Sequence, residues 1–69
     1  MTNTTYGKKW RPSLEIIAQD VKRVLGDGEA SLETVQARTG YKIRELDKAR
    51  DYLIARSEIR EVEGNYQLK

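Results

Sequence analysis

The chain is 69 residues long, room for one domain, and a domain of that size buries only about 60% of the surface its unfolded chain exposes. It has no Cys and no His, which excludes disulfide staples, thiolate or imidazole metal sites and Cys- or His-dependent nucleophilic catalysis. The net charge of +2 and pI near 9.0 are mildly basic, a bias that suits an acidic partner without demanding one.

Residues 1–12 (MTNTTYGKKWRP) carry no periodic apolar spacing and hold Lys8, Lys9 and Arg11 without an acid, so the sequence predicts a flexible basic tail. Trp10 is its one large apolar group, expected to pack over the core edge near Ile16. Ser13 is a good helix N-cap, and Leu14, Ile17, Ala18, Val21, Val24 and Leu25 recur at helical spacing until Gly26-Asp27-Gly28 turns the chain. Ser31 caps a second, short helix with Leu32 and Val35 on its apolar side and Gly40 at its end. A helix that short is marginal alone and must dock on its neighbours.

Tyr41 and Lys42 lead into a longer helix, residues 43–56, with Ile43, Leu46, Ala49 and Leu53 predicted inward, Ile54 beside them, and Arg44, Lys48, Asp51 and Ala55 outward. From Ser57 the period changes. EIREVE and YQLK read as two strands of a hairpin around Gly64-Asn65, and a three-residue turn that opposes Val62 to Tyr66 is preferred because it gathers Val62, Tyr66 and Leu68 on one face. The expected fold is thus mainly α, with three helices and a small β-hairpin over residues 13–69.

The segment SLETVQARTGYKIRELDKARDYLIARSEIREVEGNYQL resembles the winged helix-turn-helix superfamily: a capped short helix, a Gly turn, a helix with Leu46, Ala49 and Leu53 apolar, an extended Ile59 and a Gly-tipped wing. The likeness runs from about Ser13 to Lys69. It departs from the usual pattern at Arg50, often Leu in such domains, whose guanidinium is expected to reach solvent or Glu15 or Asp20. It departs again at Gln36, often Ala, and at Ser57, often Gly. Such domains serve regulators, replication and recombination factors and protein-binding modules, so the likeness implies a fold more firmly than a function.

If the chain binds double-stranded DNA as such domains commonly do, its third helix enters the major groove. Lys42, Arg44 and Lys48 would then meet guanine edges or phosphates, and Glu45 a cytosine amino group. Lys8, Lys9 and Arg11 would follow phosphates or a minor groove. The blander alternative is a solvated face in which Arg44 and Lys48 pair with Asp47 and Asp51, worth a few tenths of a kcal/mol per pair. The wing carries Glu61 and Glu63 near its tip, which repel phosphate, and only Arg60 and Lys69 to offset them.

The leading expectation is a small regulator or phage or plasmid accessory factor, binding DNA as a homodimer or cooperative array. The alternative is a winged-helix module that docks on a protein through Trp10, Ile16, Tyr52 or Tyr66. No Gly-rich phosphate loop or framed carboxylate pair suggests an enzyme, and nothing calls for a cofactor. Without an apolar run near ~20 residues or a signal peptide, an unprocessed cytoplasmic protein is expected, nucleoid-associated if it binds DNA.

Overall fold

A computed structural model describes residues 13–69. The tail expected over residues 1–12, with Lys8, Lys9, Trp10 and Arg11, lies outside the described residues. Three helices precede an antiparallel hairpin: α1 (Leu14–Leu25), α2 (Leu32–Thr39), α3 (Ile43–Ala55), β1 (Ile59–Val62) and β2 (Asn65–Leu68). None of these helices is long and apolar enough to cross a membrane.

Both predicted serine caps form. Ser13 Oγ accepts from the Ile16 N–H and Ser31 Oγ from the Thr34 N–H, each at 3.2 Å, satisfying a donor that the first helical turn leaves orphaned. Helix α2 ends at Gly40, whose φ of 84° lies in the left-handed region that glycine enters without a Cβ clash. After α1, Gly28 takes the positive φ, while Gly26 stays right-handed.

The core is the set of apolar positions that the helical period selects. Ile17, Ala18, Val21, Val24 and Leu25 of α1 meet Val35 of α2 and Leu46, Ala49 and Leu53 of α3, and Ile59 and Tyr66 close it from the hairpin. Fully burying a large apolar side chain is worth about 1.5–3 kcal/mol. With every polar side-chain atom buried among the described residues satisfied, packing carries the fold. Ile54, expected beside the inward stripe, is 40% exposed on the flank of α3 that also carries Arg50.

The hairpin register differs from the expected one. Val62 opposes Asn65 and Glu61 opposes Tyr66, so the two-residue turn is Glu63-Gly64 rather than one built on Gly64-Asn65. Both turn residues have positive φ, 53° and 87°, the combination whose twist matches paired strands. This register sends Tyr66 into the core and leaves Val62 39% exposed on the opposite face. A third strand fragment completes the sheet: Ala30 and Tyr66 exchange backbone hydrogen bonds of 3.0 and 2.8 Å. Glu29, beside it, accepts from the side-chain amides of Asn65 and Gln67.

Candidate nucleic-acid interface

Helix α3 is held on two flanks, and these decide which of its side chains remain available. On the α1 flank, Tyr52 packs against the core beneath the Arg56 guanidinium, which lies 5.3 Å from the ring centroid. Arg56 Nε donates to Glu58 Oε2 at 2.8 Å, and Lys22 Nζ from α1 donates to Glu58 Oε1 at 2.6 Å. These two donors, Lys22 first, hold the Glu58 carboxyl below the usual carboxylate range. The groove here, about 300 Å³, is lined by these groups and by Glu15, Gln19 and Tyr52, so its cations are already engaged.

On the hairpin flank, Arg50 Nη1 donates to the Tyr66 hydroxyl at 3.3 Å and Nε donates to Asp51 Oδ1 at 3.0 Å, while Asp47 Oδ1 lies 3.2 Å from Nη1. Arg50 therefore does not reach Glu15 or Asp20 as expected. Those acids belong to α1, on the other side of α3, whereas the position of Arg50 on the helix turns its stem toward Tyr66. The Tyr66 hydroxyl foremost, and then Asp51, stabilise its charged form and raise its pKa further above the ordinary arginine value.

The entry to α3 is fixed from α1 and α2. The Tyr41 hydroxyl donates to Asp20, and that hydrogen bond is the main reason the phenol pKa is pushed up to about 12. The Tyr41 N–H donates to Thr39 Oγ1, so the link between α2 and α3 is tied at both its backbone and its side chain. Lys42 then occupies the N-cap position without an acceptor to offer, unlike Ser13 and Ser31. Glu45 supplies half of a capping box, accepting from the Lys42 N–H at 3.0 Å, so its carboxylate serves the helix start.

Among the described residues, Lys22, Arg23, Arg38, Arg50 and Arg56 make ion pairs. Lys42, Arg44 and Lys48 make none, nor do Arg60 and Lys69 of the hairpin. Arg44 and Lys48 are four residues apart on the exposed side of α3, where two like charges repel. Neither pairs with Asp47 or Asp51, both of which contact Arg50 instead. The positive pole of the α3 dipole adds to the same end. At the hairpin tip, Glu61 and Glu63 are exposed and make no ion pair among the described residues.

Sequence reasoning missed the role of Tyr66, read as a candidate exposed aromatic but buried and bonded to Arg50. The Ala30 bridge was equally hidden, since one alanine after a Gly turn carries no strand period. Compared with protein-family models, curated proteins and solved structures, the chain finds no match.

Proposed function

We propose that this chain is a winged helix-turn-helix protein that binds double-stranded DNA, with α3 in the major groove and Lys42, Arg44 and Lys48 against phosphates and base edges. The observation that carries the reading is the selective absence of ion pairs at these residues. Helix α3 keeps its cations unneutralised where the helix faces outward, whereas those on its flanks are consumed by carboxylates. An unpaired Arg44–Lys48 stripe costs the folded protein a little repulsion, which phosphates would convert to attraction. The positive pole of the α3 dipole favours the same ligand, although Glu45 already accepts from one backbone N–H at that end.

Two of the aromatic groups that would floor a protein-docking face, Tyr52 and Tyr66, are instead packed against or within the core. The acidic tip sets the pose. Glu61 and Glu63 keep the end of the wing away from the backbone, so the contact is centred on α3, with Arg60 as the hairpin's contribution. One module of this kind covers about 600–1,000 Å² of protein surface on DNA, and full affinity calls for the basic residues Lys8, Lys9 and Arg11 or a second copy.

The test is a chemical-shift titration of labelled protein with a short random duplex at low and moderate salt. Shifts at Lys42, Arg44 and Lys48 that fade with salt are expected, with a slope of log K against log salt of about −3 if each neutralises one phosphate. An α3 whose signals stay unperturbed at low salt overturns the reading.

A further inference from the structure

Asp47 and Asp51 sit three residues beyond Arg44 and Lys48 respectively, a spacing at which side chains are neighbours on a helix surface and opposite charges attract. Nothing in α3 alone prevents Arg44–Asp47 and Lys48–Asp51 pairs. Both acids are nevertheless bound by Arg50, through Nη1 at 3.2 Å and Nε at 3.0 Å. A planar guanidinium can serve both carboxylates and a third acceptor at once, which a lysine ammonium on a flexible stem does less well.

Arg50 is itself held in place. Its carbon Cζ lies 5.9 Å from the Tyr66 ring centroid and its Nη1 donates to the Tyr66 hydroxyl, while Tyr66 is only 7% exposed and locked to Ala30 through the backbone. The side chain of Arg50 is 24% exposed against 72% for Asp51, so the cation is the anchored partner and the acids are drawn toward it.

We propose that Arg50 is a positioning residue for DNA binding: by engaging Asp47 and Asp51 from the hairpin flank, it keeps Arg44 and Lys48 free for phosphate. The inference rests on the DNA-binding reading above and extends it to a residue that does not face the duplex. Loss of Arg50 exposes two carboxylates beside the phosphates and lets them pair with the two cations that should bind there. The hairpin thereby acts on the interface through charge, even with its own tip held off the DNA.

The experiment is a thermodynamic cycle read by fluorescence anisotropy with a labelled random duplex at low salt. It compares the wild type, Arg50→Met, Asp47→Asn/Asp51→Asn and the triple variant, with folding checked by circular dichroism. Arg50→Met should weaken binding roughly tenfold. The double Asn variant should bind at least as tightly as the wild type. The triple variant should bind within about twofold of the double Asn variant, because without the acids there is nothing for Arg50 to hold.

Equal loss from Arg50→Met in both backgrounds overturns the proposal, since it would mean that Arg50 touches phosphate itself or acts only on stability. Should Arg50→Met fail to fold, Arg50→Lys takes its place under the same criterion: a loss relieved by the Asn pair supports the proposal, and one that persists overturns it. A wild-type chain with no affinity for the duplex removes the DNA-binding reading, and this inference with it, before any variant is compared.

Discussion

The two halves of α3 treat their cations differently. At its start and in its first half, Lys42, Arg44 and Lys48 make no ion pair among the described residues; in the second, Arg50 and Arg56 are each tied to acids and stacked on a tyrosine. Residue type does not separate them. Their positions around the helix do, because Arg50 and Arg56 lie on the flanks where the hairpin and α1 bring partners, and the outward stripe meets none. A basic helix therefore becomes a candidate interface through what its neighbours leave unpaired.

The strongest way to break this contrast is to remove the core on which both halves depend. Leu46 is fully buried, and Leu46→Ala should cost about 2–5 kcal/mol. A single core in so small a domain supplies only about 3–5 kcal/mol in total. Thermal unfolding followed by circular dichroism should show the transition collapse or nearly vanish, and DNA affinity should go with it. A modest fall in Tm would mean that the site relaxes more than its packing implies.

The contrast is sharpened by exchanging charges on the two kinds of site. Arg44→Ala/Lys48→Ala should lower affinity for a random duplex by roughly tenfold or more at low salt and flatten its salt dependence by about two slope units. Its Tm should hold or rise slightly as the like-charge repulsion disappears. Arg38→Ala, which removes a cation paired with Asp27 at 2.8 Å, should leave binding within about twofold. Equal losses from both variants would reduce the α3 stripe to general electrostatics.

Most of the framework was legible because it depends on local signals. Ser13, Ser31 and Gly40 are read from capping chemistry, and the core stripes of α1 and α3 from their helical period. The outward placement of Arg44 and Lys48 follows from that same period, while Lys42 precedes the helix as its N-cap. What stayed hidden depends on long-range pairing. The destination of Arg50 turns on a hairpin register that keeps Tyr66 on the inner face with Ile59 while turning Val62 outward. That register turns in part on Glu63 accepting a left-handed conformation, which a reading centred on Gly64-Asn65 does not favour. Ala30 becomes a strand fragment only because β2 lies beside it.

At the paired end of α3, pH offers the next test. Because the Glu58 carboxyl titrates below its usual value, its pairing with Lys22 and Arg56 stabilises the fold above the unfolded pKa and is lost as pH falls through the lowered one. Glu58→Gln should thus be less stable than the wild type in urea at neutral pH, and the gap should close in acid, once the pH has fallen through the lowered Glu58 pKa. A gap that persists there would assign the loss to packing or hydrogen bonding rather than to charge.

The smallest effect is expected where α3 hands over to β1. Ser57 has a φ of 60°, and the turn around it is a Schellman motif: the Glu58 N–H donates to the Leu53 carbonyl at 2.9 Å and the Ser57 N–H to that of Ile54 at 2.9 Å. Those two bonds satisfy carbonyls the helix end would otherwise orphan, and they hold a serine in a conformation that costs an L-residue about 1–2 kcal/mol. Glycine removes that cost but brings more unfolded-state entropy to be lost, so Ser57→Gly should gain no more than about 1 kcal/mol. The gain should appear as a higher urea midpoint with an unchanged slope. DNA affinity should be unmoved, since the junction sets where the hairpin starts and leaves the α3 stripe as it was. A loss of stability instead would show that the serine side chain contributes more to the junction than its backbone costs.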